Sequence, residues 1–343
     1  MSRITPLVRP NIAALAPYST ARDEYDGPIG IFLDANESPY NNGYNRYPDP
    51  HQAALKARIA PIKGVPVENL FLGNGSDEAI DLIYRIFCEP GKDNAVIMTP
   101  SYGMYGVAAA INDVAVRSVM LDADFNLDTE ALLGACDERT KVIFLCSPNN
   151  PSGNAFPKEQ LLDICDRFSG IVVVDEAYID FSEKGTLASE AVRRDNIVVL
   201  QTLSKARAMA GLRIGMAISS REIIRLMSMV KYPYNLSRAA MEKAMEFIEK
   251  PIDTEVDVII NERKRLAEVL PRYSFVEKVF PSDANFLLVR VDDAYALYDY
   301  LLNEGIIVRN RTRVPGCDRC LRLTVGLPAE NDALLNALDR YTV

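Results

Sequence analysis

The fold of this chain is indicated most directly by the apolar run Ile197-Val198-Val199-Leu200 and the polar segment Thr202-Leu203-Ser204-Lys205 that follows it. The β-branched run predicts a buried strand, and Lys205 lies where that strand ends. A partly buried lysine shifts its pKa readily and suits Schiff-base chemistry. The hydroxyls of Thr202 and Ser204 and the guanidinium of Arg213 are typical phosphate ligands. A phosphate site beside such a lysine suggests pyridoxal 5'-phosphate (PLP), the cofactor that combines both needs.

The composition is that of an ordinary globular protein, and it excludes several classes of function. The 343 residues allow about two domains, and the hydrophobic share of 48% and charged share of 25% fit a soluble folded chain. A net charge of -9 argues against a nucleic-acid partner. No stretch has the pattern of a membrane span or a signal peptide. We therefore expect a cytoplasmic protein with no membrane partner.

The histidine and cysteine content narrows the chemistry further. His51 is the only histidine, so a histidine-rich metal site is excluded and a catalytic triad has one candidate at most. We expect His51 at the surface near a helix start. Cys317 and Cys320 form a lone C-x-x-C pair without a nearby histidine, which disfavours zinc and makes an incidental loop pair a better interpretation than redox use. No metal is expected, and acid–base work falls to lysine, carboxylate or tyrosine.

Short apolar runs alternate with amphipathic segments from about Ile31 to Ser220. This pattern predicts an α/β fold, in which helices cover both faces of a mostly parallel sheet. Ligands of such sheets bind at the carboxyl ends of the strands. A long helical stretch from about Ser237 to Leu270 then leads into a smaller α+β region, in which Gly305 to Arg309 is expected to be a strand. The expected organisation is an N-terminal arm over residues 1–30, a large domain over 31–236 and a small C-terminal domain over 237–343.

A carboxylate ends the apolar run Ile171-Val172-Val173-Val174. Burying Asp175 there is costly without a cationic partner, and a protonated pyridine nitrogen is such a partner, which would make the ring a better electron sink. Tyr178 is a candidate donor to the phenolate oxygen of the ring. Asn150, in the rigid turn Ser147-Pro148-Asn149-Asn150-Pro151-Ser152-Gly153, is a second candidate. A helix-capping aspartate and a plain turn are the alternatives.

Two further strand ends carry polar residues. The segment Gly73-Asn74-Gly75-Ser76-Asp77-Glu78 opens a helix whose free N–H groups can bind phosphate, and a capping box without ligand is the alternative. In Pro100-Ser101-Tyr102-Gly103-Met104-Tyr105, Tyr102 can stack on an aromatic ring, or it can be a half-buried tyrosine at a helix start. Each signal is weak by itself. Their shared position at the strand ends of one sheet favours a common cofactor site.

In this order the motifs resemble those of the fold-type I, class II PLP-dependent aminotransferases. The resemblance covers nearly the whole chain, from Arg9-Pro10-Asn11 to Cys320-Leu321-Arg322-Leu323-Thr324-Val325-Gly326. It implies a seven-stranded sheet in the large domain and a homodimer with shared active sites, the N-terminal arm packing on the small domain or the partner subunit. Two substrates, an amino acid such as glutamate and a phosphorylated amine, would alternate in one pocket. Decarboxylation of a phosphorylated amino acid, aromatic aminotransfer and PLP binding without turnover are the alternatives on this scaffold.

The resemblance also implies a role for each site residue. Lys205 would carry the cofactor and shuttle a proton, with Asp175 on the pyridinium. Tyr178 and Asn150 would contact the phenolate oxygen, and Tyr102 would stack on the ring face. The cofactor phosphate would be surrounded by Ser76, Asp77, Glu78, Thr202, Ser204 and Arg213. Tyr47 of the partner subunit would also reach this phosphate. The substrate would be held by Arg322 as a carboxylate clamp, by Arg309 and Tyr18 on its phosphate, and by Asn36.

Two positions depart from the family pattern. Arg207 stands two residues after the lysine, where the family usually has phenylalanine, and Ser152 replaces the commoner threonine. An extra cation near Lys205 can lower the pKa of the lysine or bind an acidic group, but we expect Arg207 to point to solvent because the protein surface is acidic.

Overall fold

The computed structural model describes residues 4–20, 24–25 and 30–342. Within this part of the chain the strands are β1 (Leu70–Asn74), β2 (Asn94–Thr99), β3 (Ala115–Met120), β4 (Thr140–Cys146), β5 (Ile171–Asp175), β6 (Ile197–Thr202), β7 (Ile214–Ser219), β8 (Val276–Val279), β9 (Phe286–Val291), β10 (Arg309–Asn310) and β11 (Cys320–Thr324). The α-helices are α1 (Pro10–Ala13), α2 (Ala53–Lys63), α3 (Gly75–Phe87), α4 (Met104–Ile111), α5 (Thr129–Gly134), α6 (Lys158–Arg167), α7 (Ala188–Arg193), α8 (Arg221–Val230), α9 (Arg238–Phe247), α10 (Asp253–Val269), α11 (Ala294–Asn303) and α12 (Pro328–Arg340). None of the described helices is long and apolar enough to cross a membrane.

Seven strands form the large sheet, in the order β1-β7-β6-β5-β4-β2-β3. The pairs β2/β3, β2/β4 and β4/β5 are parallel, whereas β7 runs antiparallel to β1 and to β6. Strands β5, β6 and β7 are buried along their whole length, which explains why they read as continuous apolar runs in the sequence. The predicted mostly parallel seven-stranded sheet is confirmed.

The chain forms two compact units. The first comprises the residues up to Asp93, Ala108–Val114 and Leu187–Lys250, and the second comprises Asn94–Val107, Ala115–Thr186 and the residues from Pro251 onward. The first unit therefore contains β1, β6 and β7, and the second contains β2 to β5 and all strands of a smaller sheet. The expected domain boundary after residue 236 stays a prediction.

In the first unit, the long amphipathic helix α3 packs on β7. Its buried residues Ala79, Ile80, Ile83, Tyr84 and Phe87 recur every three or four positions, so they lie on one face of the helix. Its acidic first turn and its basic last turn complement the helix dipole. This packing fixes the start of α3 at the end of β1, where the phosphate motif of the sequence lies.

In the second unit, the smaller sheet has the order β10-β11-β9-β8 with every neighbouring pair antiparallel. Buried leucines from its strands and from three helices form one core: Leu266, Leu287, Leu301, Leu321 and Leu334. The smaller α+β region predicted from the sequence is present.

Two predicted elements are wrong in extent. The single helix expected from Ser237 to Leu270 is two helices, α9 and α10, with Pro251 between them. Proline has no N–H and disfavours helical geometry in the preceding residue, so it ends the first helix. The strand expected from Gly305 to Arg309 is reduced to Arg309–Asn310, and Gly305 has a φ of 78°, which no strand residue adopts.

Candidate active site

In the first unit, two glycines bring the start of α3 against β7. Gly75 has a φ of 74°, and its N–H donates to the carbonyl oxygen of Arg213 at 2.7 Å. A Cβ atom on Gly215 would lie 2.1 Å from the nitrogen of Ser76, and one on Gly75 would lie 2.7 Å from Nη2 of Arg213. Gly215 therefore has no room for a Cβ atom, and the positive φ of Gly75 favours glycine. The close approach joins the β1–α3 turn to the first residues of β7.

The end of β6, in the same unit as this turn, supplies two side-chain hydroxyl groups. Thr202 Oγ1 lies 2.9 Å from Ser204 Oγ and accepts the N–H of Ser204 at 3.1 Å. Lys205 follows in an exposed turn. Arg213 has a φ of 56° and forms an ion pair with Asp77 at 3.6 Å. Hydroxyls, a guanidinium and a helix N-terminus are the groups that hold a phosphate in proteins, so the donor set of this unit fits the phosphate of PLP.

Glu78 holds the same turn from within. Its carboxylate accepts the N–H of Asn74 and the side-chain amide of Asn235 at 3.0 and 3.1 Å. Asn235 also donates to the carbonyl of Leu72 and accepts from Gln52 at 2.8 Å. These contacts give Glu78 a supporting role in the turn; its contact with a cofactor stays a prediction.

In the second unit, Asp175 is buried at the end of β5 and both of its oxygens are engaged. Oδ1 accepts the N–H of Ala177 at 3.0 Å, and Oδ2 accepts the hydroxyl of Tyr105 at 2.8 Å. Tyr105 is itself 0% exposed and stacks on Phe144 with the ring centroids 4.9 Å apart. Burial and the neighbouring carboxylate raise the pKa of Tyr105 well above its usual value, so its hydroxyl is a permanent donor to Asp175.

The sequence prediction did not assign a role to Tyr105. The motif that contains it was recognised for Tyr102, which is half-buried and makes an edge contact with Tyr105 at 5.6 Å. The spacing of three residues places both tyrosines on one side of the start of α4. This spacing was the one sequence signal that Tyr105 lies near Tyr102. The hydrogen bond of Tyr105 joins residues 70 positions apart, which no local pattern encodes.

Tyr178, Asn150 and Arg322 form a connected group in the second unit. Asn150 Nδ2 lies 3.5 Å from the hydroxyl of Tyr178, and Arg322 Nη1 donates to Asn150 Oδ1 at 2.5 Å. Phe286 lies beneath both, 5.1 Å from the Tyr178 ring and 5.1 Å from the Arg322 guanidinium. Burial raises the pKa of Tyr178, so its hydroxyl is protonated and able to donate at neutral pH. The structure thus brings Tyr178 and Asn150, which were predicted to contact the phenolate oxygen, together with Arg322, the predicted carboxylate clamp.

The turn that carries Asn150 is held by its neighbour. Asn149 is 0% exposed and donates to the carbonyl of Pro100 at 3.0 Å and to Ser152 Oγ at 2.7 Å. Ser101 donates to Asn149 Oδ1 at 3.1 Å. The hydroxyl of Ser152, the residue that departs from the family threonine, bonds to Asn154. Serine therefore supplies the hydroxyl that this turn requires.

The remaining predicted site residues lie on three other segments. Tyr47 stacks on Tyr234 in the first unit with the centroids 4.4 Å apart. Tyr18 is 74% exposed, and Asn36 is an exposed turn residue with a φ of 55°. Arg309 is exposed on β10. Their predicted contacts with the cofactor or the substrate stay predictions.

The expectation that Arg207 points to solvent is wrong. Its guanidinium is half-buried and donates to the carbonyls of Ile248 at 2.8 Å and Lys250 at 3.0 Å. The last carbonyls of a helix lack intrahelical N–H donors, and Arg207 donates hydrogen bonds to carbonyls just after the end of α9. It thereby ties the loop that contains Lys205 to that helix end.

The remaining histidine and cysteines lie outside these groups. His51 is exposed just before α2, as predicted. Cys317 and Cys320 are buried free thiols, and burial raises the pKa of Cys317 to about 12. A thiol held protonated in this way is a poor nucleophile, which agrees with an incidental pair. Among the described residues, no group of histidines, cysteines or carboxylates is arranged to hold a metal ion.

Comparison with known proteins identifies the family. A family model described as aminotransferase class I and II matches residues 28–338. The chain belongs to this family. A histidinol-phosphate aminotransferase of Parabacteroides distasonis is 54% identical over 340 residues, covering 98% of this chain and 99% of the relative. Membership confirms a PLP-dependent aminotransferase, as predicted from the sequence.

Two solved structures have the same fold. The histidinol-phosphate aminotransferase of Clostridium acetobutylicum has a TM-score of 0.78 at 27% identity, with 85% of this chain and 89% of that chain covered. The enzyme of the same name from Sinorhizobium meliloti, in complex with pyridoxal-5'-phosphate, has a TM-score of 0.77 at 24% identity, with 85% and 82% covered. The predicted fold class is therefore confirmed.

Proposed function

We propose that this aminotransferase converts L-histidinol phosphate and 2-oxoglutarate reversibly into imidazole acetol phosphate and glutamate, a step of L-histidine biosynthesis. The observation that carries the proposal is the full-length relationship, at 54% identity, to a protein named histidinol-phosphate aminotransferase. The arginines of β10 and β11 support it, because Arg309 lies opposite Arg322 in the antiparallel register and guanidinium groups suit both a carboxylate and a phosphate.

PLP would be held by the residues predicted from the sequence. In the first unit, Thr202, Ser204 and Arg213 would bind its phosphate together with the N–H groups at Ser76 and Asp77, and Glu78 would hold the turn beside them. In the second unit, Asp175 would bind the ring nitrogen and Tyr102 the ring face. When bound, PLP supplies an electron sink for negative charge at the substrate Cα.

The protein's own groups would position and protonate the reacting atoms. Lys205 would carry the cofactor and then move a proton between the substrate Cα and the cofactor C4'. Tyr178 and Asn150 would donate hydrogen bonds to the cofactor phenolate oxygen, and the raised pKa of Tyr178 keeps its proton in place for this. Asp175 would keep the ring nitrogen protonated, held in position by Tyr105.

Arg322 would bind the carboxylate of the amino-acid substrate, glutamate. Arg309 and Tyr18 would bind the phosphate of L-histidinol phosphate, which has no carboxylate, and Asn36 would also contact the substrate. Glutamate, which has two carboxylates and no phosphate, would occupy the same pocket in the other half of the cycle. Two anionic substrates that alternate in this way both need a cationic pocket, and this requirement is met by arginine.

The working enzyme would be a cytoplasmic homodimer with shared active sites. The segment before α2 exposes large apolar side chains, with Ile31 at 91%, Leu33 at 89% and Tyr40 at 84% exposure. Exposed apolar side chains in one segment support contact with a second copy of the chain. Tyr47 of the partner subunit would then reach the cofactor phosphate.

The test is a half-reaction without keto acid. The PLP-loaded protein is mixed with L-histidinol phosphate, and the visible absorbance of the bound cofactor is followed. We expect conversion to the pyridoxamine form, reversal by 2-oxoglutarate, and little conversion with O-phospho-threonine or phenylalanine at the same concentration. The Lys205→Ala variant should bind some PLP and show no steady-state turnover.

One outcome would contradict the proposal, and a second measurement would then identify the alternative. If wild-type protein binds PLP but histidinol phosphate leaves its absorbance unchanged, the substrate is wrong. Release of carbon dioxide from phospho-threonine without a keto acid would then favour a decarboxylase on the same scaffold.

A further inference from the structure

Three guanidinium groups lie on one face of the smaller sheet. Arg309 stands directly opposite Arg322 in the antiparallel pair β10/β11. The pairing continues past β10, because the N–H of Arg311 donates to the carbonyl of Cys320 at 2.8 Å. Opposite residues, and residues two apart in a strand, point to the same face. Arg309, Arg311 and Arg322 therefore share that face; we refer to them as the arginine cluster.

Arg311 and Arg322 lie close enough to each other and to Tyr178 for their charges to interact. Burial is the main cause that lowers the pKa of Arg311, followed by the like charge of Arg309. Burial likewise lowers the pKa of Arg322, with further contributions from Arg311 and Arg309. The charge of Arg311 also acts on the hydroxyl of Tyr178. Arg311 thus stands beside Tyr178 and Arg322 of the proposed substrate site, in a basic segment, Arg309-Asn310-Arg311-Thr312-Arg313, whose sequence already made it a possible anion site.

No carboxylate within residues 4–20, 24–25 and 30–342 forms an ion pair with any member of the arginine cluster. The Nε atoms of Arg311 and Arg322 are buried without a hydrogen-bond partner. Other arginines of this unit are paired, for example Arg319 with Glu277 and Arg340 with Glu304. Partly buried cations such as Arg311 and Arg322 are costly without a counter-ion, so a bound anion would stabilise the cluster.

We propose that Arg311 is a specificity-determining residue that binds the phosphate group of the substrate together with Arg309. This inference rests on the proposed function and adds to it a third arginine. A phosphate monoester presents three terminal oxygens and close to two negative charges, whereas a carboxylate presents two oxygens and one charge. The extra guanidinium therefore favours a phosphate over a single carboxylate at the same position, by binding a third oxygen and additional charge that one carboxylate lacks, and so favours the phosphorylated substrate there.

The experiment compares Arg311→Gln and Arg311→Lys with Arg313→Gln, an exposed arginine of the same loop that controls for the loss of charge. Half-reactions are measured with L-histidinol phosphate and with glutamate, and inorganic phosphate is tested as an inhibitor of the glutamate reaction. For Arg311→Gln we expect kcat/KM for histidinol phosphate to fall roughly 10- to 100-fold, the effect of losing charge-assisted hydrogen bonds. The loss with glutamate should be clearly smaller, and phosphate should inhibit less.

The lysine variant should recover part of the activity, because it keeps the charge but not the planar fork. The Arg313→Gln variant should match wild type in all three measurements, and all variants should keep the cofactor absorbance of wild type. Equal losses with both substrates, or losses no larger than those of Arg313→Gln, would overturn the inference.

The phosphate measurement separates this inference from the proposed function. If wild-type protein does not convert histidinol phosphate, the proposed function fails, and inhibition by inorganic phosphate then decides about Arg311. Weaker inhibition in Arg311→Gln than in Arg313→Gln would support an anion site at Arg311. Equal inhibition in the two variants would refute it.

Discussion

The hydrogen bond from Tyr105 to Asp175 should determine how firmly the cofactor ring is held. Tyr105→Phe removes one hydroxyl and leaves Oδ2 of Asp175 without its 2.8 Å donor, in a place where Asp175 is only 3% exposed. The phenyl ring retains its stacking on Phe144, so the packing changes little. The variant therefore isolates the hydrogen bond.

The expected magnitude follows from the charge on the acceptor. A hydrogen bond to a charged group contributes about 1.5–3 kcal/mol, which corresponds to a factor of roughly 10 to 150 in an equilibrium constant at 25 °C. We expect PLP affinity to fall by a factor within that range and kcat to fall with it, because a poorly oriented carboxylate holds the ring nitrogen less well. The pH dependence of the bound cofactor's absorbance should also shift.

The assay is PLP dissociation followed by absorbance, with kcat and Tm measured on the same samples. Tyr300→Phe is the matched control, since its hydroxyl donates to the carbonyl of Ala337 at 2.9 Å and is remote from Asp175 in the sequence. It should lower Tm without changing PLP affinity. Unchanged PLP affinity and unchanged kcat in Tyr105→Phe would refute the positioning role, whatever happens to Tm.

Two further predictions concern packing and pH. Gly215→Ala should lower Tm and weaken PLP binding, because a Cβ atom 2.1 Å from the Ser76 nitrogen forces the backbone apart at a cost of about 1–3 kcal/mol or more. The control is Gly211→Ala, whose added Cβ meets no atom within 4 Å and which should leave both Tm and PLP binding unchanged. Equal effects of the two variants would contradict the argument. Burial raises the pKa of Cys317 from 9.0 to about 12, so the stability contributed by its protonated state is fully present below pH 9 and is lost as the pH rises towards 12. The urea midpoint of unfolding should therefore fall more between pH 7 and pH 10 in wild type than in Cys317→Ala. Equal falls in the two proteins would disprove this.

Much of the fold could be predicted from the sequence because burial leaves a simple pattern. Strands covered on both faces appear as apolar runs, and the run Ile171–Val174 differs from its flanking segments without any knowledge of pairing. The direction of a strand leaves no such pattern. Ile214–Ser219 is as apolar as its neighbours, yet it runs antiparallel, and composition alone could not predict this.

The positions of Lys205 and Asp175 at strand ends were predictable, because each follows an apolar run that marks its strand. The contacts that were missed join residues far apart in the chain. Tyr105 reaches across 70 positions to Asp175, and Arg207 reaches 41 positions to Ile248. In each case the side chain is ordinary for its local segment, and only the folded chain supplies its partner.

The glycine contact between Gly75 and Gly215 has a consequence for how this enzyme can change. Gly215 has no room for a side chain and Gly75 has a positive φ that favours glycine, so the proposed cofactor cradle is hard to reshape by substitution at these two points. The arginine cluster, in contrast, lies on β10, on β11 and in the loop between them, elements that share no residue with the cradle. Substrate preference can therefore be altered, by natural variation or by an engineer, through residues 309–322 while the cofactor-holding turn keeps its sequence.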